Sequence, residues 1–190
     1  LGREVVPRAI ARLLRESPAF AIRVLEGPAP RLLEALRAGE IDLALAVGAS
    51  HGDVAGVSFE PLLSSSVELL VPGGERAGRE VTIERLRDRR LVTLQRGSGF
   101  RRHLEEAWSA AGVPFRPAVE VGNLSLVRRF VAAGLGVAPV PSIAFGRDRG
   151  DNASTRRRLR GVPPVPYVLA RRAGVPLTQA AERFVELLQK

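Results

Sequence analysis

Three segments of the chain place polar groups at the start of a predicted helix, where they could bind an anion. Ser98 precedes one predicted helix, and Asn123 takes the same place before another. Ser and Asn are favoured N-caps, and the first N–H groups of a helix have no acceptor within it. Together with the positive end of the helix dipole, they suit a carboxylate or another small anion. Each side chain could equally cap its own helix, so capping and ligand binding both stay open.

The surrounding residues extend this predicted site. A third helix starts within Pro28–Arg31, and Arg101 and Arg102 add positive charge just inside the helix that follows Ser98. Open α/β sheets bind ligands where strand ends lead into helix N-termini. We therefore expect a small anionic ligand at these turns.

The same residues do not predict catalysis or a metal site. Ser98 lies in the segment Gly97–Gly99, which is not the G-x-S-x-G nucleophile elbow. His103 follows five residues later on the same predicted helix, where it is not placed to act as a base for Ser98. With only His51 as a second histidine, and no cysteine, a protein-built metal centre is disfavoured. We expect no enzyme activity, no metal and no cofactor.

The turns are positioned by an alternating series of predicted helices and strands. The segment Ile41–Val47 is almost wholly apolar, which is typical of a strand covered on both faces in a parallel sheet. Two such series, each about half of the chain, predict an α/β fold with two lobes. The predicted helices cover residues 7–16, 30–38, 82–86, 100–111, 124–133 and 177–188, and the predicted strands cover 20–26, 41–47, 57–63, 67–71, 90–94, 118–121, 137–140, 156–160 and 167–170.

Composition narrows the class of protein. The chain has 190 residues, of which 45% are hydrophobic and 26% charged, as in ordinary globular proteins. Its net charge is +9, but 28 of its 29 basic residues are scattered arginines, which indicates codon bias more than a nucleic-acid surface. No apolar run is long enough for a membrane span. The chain starts without Met or a signal peptide, so we expect a fragment or a processed product.

Five segments, in order, resemble the LysR-type transcriptional regulators. Gly39–Leu45 reads GEIDLAL, as in that family, and Val131–Pro141 is similar to its VaaGlGvallP segment. Val6–Pro18, Phe59–Pro72 and Gly97–Arg101 resemble its opening helix, its central strand pair and its Gly-Ser turn. The resemblance covers nearly the whole chain.

The resemblance implies the effector-binding domain of such a regulator. Its expected fold is α/β and two-lobed, similar to type 2 periplasmic binding proteins, with a mixed sheet flanked by helices in each lobe. Lobe I would comprise residues 1–62 and 163–190, and lobe II residues 63–162. The strands near 59–63 and 157–161 would connect the lobes.

The resemblance also implies the site and the partners. A small, anionic effector would lie in the cleft between the lobes. The expected effector-binding residues are Ser98, Gly99, Phe100, Arg101 and Asn123 in lobe II and Pro28 and Ala29 in lobe I. The family implies a cytoplasmic homodimer or homotetramer, with no membrane contact. DNA would be bound only through an N-terminal winged helix-turn-helix that is absent from this chain.

A free-standing periplasmic-type solute-binding protein is the alternative. It would use the same kind of fold and site, but it requires export. The residues upstream of Leu1 distinguish the two, because a helix-turn-helix pattern indicates a regulator and a signal peptide indicates a solute-binding protein.

Overall fold

The computed structural model describes residues 5–48, 54–75, 78–145 and 153–189. The chain forms two compact units: unit 1 comprises Leu1–Ser64 and Pro166–Lys190, and unit 2 comprises Ser65–Val165. His51 lies outside the described residues.

Helices and strands alternate along most of the described chain. In chain order they are α1 (Val5–Glu16), α2 (Ala29–Arg37), β1 (Ala44–Val47), β2 (Val57–Ser65), β3 (Val67–Pro72), β4 (Glu80–Thr82), a short 3₁₀ helix (Ile83–Leu86), β5 (Leu91–Leu94), α3 (Gly99–Ala110), β6 (Pro117–Val121), α4 (Leu124–Ala132), β7 (Ala138–Pro141), a second 3₁₀ helix (Ser142–Phe145), β8 (Ser154–Arg160), β9 (Val165–Arg172) and α5 (Gln179–Leu188).

Unit 1 has helices on both faces of a three-stranded sheet. The strand order is β1–β9–β2, and β1 runs antiparallel to β9 with Ala44 opposite Ala170. Side chains alternate across a strand. Ala44 packs with Leu36 of α2, whereas Leu45 packs with Leu13 of α1 and the residues of α5. The sheet is therefore covered from two sides.

Two strand predictions in unit 1 are wrong. Within the segment 41–47, the strand covers only Ala44–Val47, and it pairs antiparallel to β9 and not in a parallel sheet. The segment 20–26 forms no regular strand. Its alternating residues Ile22 and Val24 are 39% and 59% exposed. A strand needs a neighbour to accept and donate its main-chain hydrogen bonds, and the described sheet of unit 1 contains none for this segment.

Helices α1 and α5 pack against each other through an apolar stripe and an ion pair. Leu13 of α1 and Leu188 of α5 belong to one buried cluster. Beside it, Arg183 Nε donates to Glu16 Oε2 at 2.7 Å. This hydrogen bond lowers the pKa of Glu16 below its usual value. The predicted amphipathic pattern of both helices is confirmed by this packing.

Unit 2 is built on a mixed set of strands. One sheet has the order β4–β8–β3–β7, and the parallel pair β5–β6 joins it through a bridge between Leu91 and Val137. Strand β3 is antiparallel to both β7 and β8. Helix α4 buries Val127 and Val131 against one face of these strands. Helix α3 buries Trp108, which is fully inaccessible. The structure thus confirms a mixed α/β arrangement.

Candidate functional site

Two of the predicted turns lie at the same edge of unit 2. Strands β5 and β6 are parallel neighbours, with Leu94 opposite Val121 at their carboxyl ends. The Gln95 N–H extends this pairing by donating to the Val121 carbonyl at 2.9 Å. Gly97, with φ of 90°, then allows the chain to turn from β5 into α3. The N-termini of α3 and α4 therefore start from adjacent strand ends.

Ser98 and Asn123 both act as N-caps in the structure. Asn123 Oδ1 accepts from the N–H groups of Ser125 and Leu126, at 3.0 Å each. Ser98 Oγ accepts from the Arg101 N–H at a long 3.5 Å. Capping occupies the carbonyl oxygen of Asn123, but the amide NH₂ of that side chain remains a donor on an exposed residue. Capping and ligand binding are thus compatible at Asn123.

The Arg101 guanidinium points into the protein. The side chain is 3% exposed, and its Nη1 donates to the Leu94 carbonyl at 3.0 Å. Its Nε donates to Glu105 at 2.8 Å, and Nη1 lies 3.3 Å from Glu120 of β6. The guanidinium also stacks 4.6 Å above the Phe115 ring. Arg101 therefore ties the start of α3 to the ends of β5 and β6, and so positions the turns.

Gly99 and Phe100 offer main-chain groups at the same edge. They are the first two residues of α3, where N–H groups have no acceptor within the helix. Phe100 as a whole is 4% exposed, so its side chain belongs to the interior. Only its N–H is suited to a ligand.

Pro28 and Ala29 lie in unit 1, at the start of α2. Pro28 is exposed and occupies the N-cap position without a side-chain hydrogen bond. Pro28 and Pro30 have no N–H, and Ala29 has no hydroxyl. This helix start therefore offers an anion fewer donors than the start of α3 or α4.

Sequence reasoning missed a cluster of serine hydroxyls beside these turns. Ser142 directly follows β7, which is bridged in parallel to β5, so its position lies at the same edge. Its Oγ lies 3.0 Å from Ser65 Oγ and 3.1 Å from Ser66 Oγ. The only signal in the sequence is the run Ser64–Ser66 just before an apolar strand. Its closeness to Ser142 depends on β3 pairing with β7, which the sequence does not reveal.

The described part of the chain contains no group of three or more acidic, histidine or cysteine side chains that could hold a metal ion. Within that same part, no helix is both long and apolar enough to cross a membrane.

A comparison with protein families gives the class of the protein. The LysR substrate binding domain family matches residues 1–190, and the chain belongs to this family. The family is a part of transcription regulators and is not an enzyme family, which confirms the predicted class. The solved regulatory domains below confirm the fold, which is similar to type 2 periplasmic binding proteins.

Three similar proteins are a transcriptional regulator and two regulatory domains. The HTH-type transcriptional regulator YfeR of Shigella flexneri is 24% identical over 191 residues, covering 100% of this chain and 61% of YfeR. The chain thus spans about three fifths of that relative's length. The reduced OxyR regulatory domain of Pseudomonas aeruginosa is 26% identical, with a TM-score of 0.85 over 100% of this chain and 92% of that one. The CcmR regulatory domain of Synechocystis, in complex with 2-PG, has a TM-score of 0.83 at 17% identity, over 97% of this chain and 89% of that one. None of these matches favours the solute-binding alternative.

Proposed function

We propose that the chain senses a small anionic metabolite at the edge of unit 2 where α3 and α4 begin. The proposed ligand groups are the N–H groups of Gly99 and Phe100, the Ser98 hydroxyl and the Asn123 amide. Ser142, with its neighbouring serines, is proposed as a further donor. Arg101 is proposed to position the turns, and Pro28 and Ala29 stay predictions of the family resemblance.

The observation that carries this proposal is the pairing of two helix N-termini on adjacent parallel strands. Leu94 lies opposite Val121, so the two strand ends are one strand spacing, roughly 5 Å, apart, and each helix begins within five residues of its strand end. Two adjacent helix dipoles attract the same anion, and their first N–H groups can donate to it together. The complex of CcmR with 2-PG supports the view that a domain of this fold takes a small ligand.

The function of the whole regulator follows from the same proposal. Effector binding would favour one conformation of the domain only if the effector has a higher affinity for that conformation. We propose that this change passes through a homodimer or homotetramer to a DNA-binding domain outside this chain, in the cytoplasm. YfeR is named an HTH-type regulator, which supports a DNA-binding domain in the full-length protein.

A thermal-shift screen of small carboxylates and phosphates tests the proposal, because a ligand that binds only the folded state raises the apparent stability. The decisive variant is Asn123→Asp. Aspartate keeps the capping acceptor, so the helix stays intact, but it replaces the NH₂ donor by a negative charge. We expect the affinity for an anionic hit to fall by about tenfold or more.

The matched control is Thr178→Asp. Thr178 caps α5 in unit 1 by accepting from the Ala181 N–H, so the same charge is introduced at a helix start outside the proposed site. We expect no change in the affinity for the hit. An Asn123→Asp protein that binds every anionic hit as tightly as the wild type would contradict the proposal.

A further inference from the structure

Unit 2 contains a pocket of about 540 Å³ at the ends of two strands of its sheet. It lies between the start of β3 and the end of β8, and the segment Gly161–Pro164 forms part of its wall. This volume falls within the range of small-molecule sites. The proposed effector site does not use the pocket's charged residues, Glu68, Arg158 and Arg160.

Two arginines of the pocket share a single carboxylate. Arg158 Nε lies 3.6 Å and Arg160 Nε 2.5 Å from the same oxygen, Glu80 Oε1. Their side chains are 75% and 62% exposed. Each guanidinium has five N–H donors, and one shared carboxylate oxygen uses few of them. Both guanidiniums therefore retain donors for an oxyanion.

The neighbouring strand β3 supplies an acceptor. Glu68 of β3 stands directly opposite Arg158 in the strand pair and lines the same pocket with a side chain that is 30% exposed. Its ion-pair partner is Arg156, at 3.1 Å. A carboxylate can only accept hydrogen bonds, so a ligand next to it must bring a donor such as a hydroxyl.

The charge of unit 2 favours an anion as well. Unit 2 holds 18 arginines and ten acidic residues, a net charge of +8, whereas unit 1 holds eleven basic and ten acidic residues. The codon bias towards arginine affects both units equally. It therefore does not by itself explain why unit 2 carries more net positive charge than unit 1. A positive field of this kind raises the local concentration of anions.

The pocket's arginines lie away from the starts of α3 and α4, whereas its Ser66 belongs to the serine cluster beside those turns. Strand β8 lies three strands away from β5, through β3 and β7, which amounts to roughly 14 Å. All of its lining residues belong to unit 2.

We propose that this pocket is a second binding site for a small oxyanion that also carries hydroxyl groups. Arg158 and Arg160 would bind the oxyanion, and Glu68 would accept from the hydroxyl. The site does not depend on the proposed function of the edge where α3 and α4 begin.

Glycerol 3-phosphate and propyl phosphate are the matched probes, because they share the phosphate and the carbon chain and differ in the hydroxyls. Titration of the 190-residue chain, followed by amide proton–nitrogen correlation spectra, should shift the amides of Glu68, Arg160 and Gly161. We expect glycerol 3-phosphate to bind about fivefold more tightly than propyl phosphate, as one hydrogen bond provides.

Separate variants test the binding of the oxyanion by the arginines and the binding of the hydroxyl by Glu68. Arg158→Gln combined with Arg160→Gln should weaken both probes by about tenfold or more, because two charged donors are lost. Glu68→Ala should abolish the preference for glycerol 3-phosphate. Arg12→Gln, at an exposed arginine of unit 1, is the control and should change neither affinity.

Three outcomes would overturn the second site. The first is that the wild-type chain shows no shifts at the pocket amides, a measurement that needs no variant to fold. The second is that the shifts appear instead at Gly99 and Ser125, which would assign the probes to the helix starts. The third is that the double arginine variant binds as tightly as the wild type.

Discussion

Replacing Arg101 by alanine should destabilise unit 2 by about 3 kcal/mol. The hydrogen bond from a charged group to the Leu94 carbonyl contributes about 1.5–3 kcal/mol. Stacking on Phe115 adds about 0.5–1 kcal/mol. Glu105 and Glu120 are 42% and 39% exposed, so water can solvate them after the change, and their pairs contribute less than about 1 kcal/mol each. Removing the positive charge of Arg101 from the positive end of the helix dipole is favourable, and it offsets a few tenths of a kcal/mol of the lost stability.

Urea unfolding followed by Trp108 fluorescence measures this loss. Trp108 is the only tryptophan and is fully buried on α3, so it reports on unit 2 directly. In thermal unfolding, the same loss should lower the melting temperature by roughly 6–12 °C, because each kcal/mol corresponds to about 2–4 °C for a chain of this size. Arg102→Ala is the matched control, since Arg102 is exposed on the same helix and should lose little. A loss below about 1 kcal/mol in Arg101→Ala would refute the positioning role derived from these contacts.

Two further predictions concern packing and titration. A Cβ at Gly136 would lie 2.3 Å from the Arg90 carbonyl oxygen, so Gly136→Ala should cost about 3 kcal/mol in urea unfolding. Gly134→Ala, where a Cβ meets nothing within 4 Å, should cost only about 1 kcal/mol for its left-handed backbone, and equal losses would contradict the clash. Burial raises the pKa of Tyr167, the only tyrosine, from 10.0 to about 12. Because the unfolded phenol ionises first, stability should fall by about 1.4 kcal/mol per unit as the pH rises from 10 to 12. Tyrosinate absorbance checks this, and a folded midpoint near pH 10 would refute it.

The local features of the fold could be predicted from the sequence, and the non-local ones could not. Asn123 and Ser98 were correctly placed as helix starts, because an N-cap depends on residues within three positions. The segment 20–26 has the alternation of a strand, but a strand also needs a partner, and no local pattern shows whether one is present. The prediction of a parallel sheet for β1 failed for the same reason, since its antiparallel partner β9 lies over a hundred residues away.

In the candidate site, too, the local features could be predicted from the sequence and the tertiary contacts could not. The two turns were predicted from their residues, but the role of Arg101 was not, because its partners come from β5, β6 and α3 itself. Because Arg101 lies in the first turn of α3, its sequence position predicts that it attracts an anion. In the structure its guanidinium instead contacts Leu94 and Glu120 inside the protein. The contact of Ser66 with Ser142 spans 76 positions and depends on strand order alone.

The most direct test of the central claim maps an effector onto unit 2. The wild-type chain would be titrated with the tightest anionic hit of the thermal-shift screen, and its amide proton–nitrogen spectra recorded. We expect the largest shifts on Gly99, Phe100, Ser125 and Leu126, at the starts of α3 and α4. Saturable binding that leaves these four amides unmoved would contradict the claim.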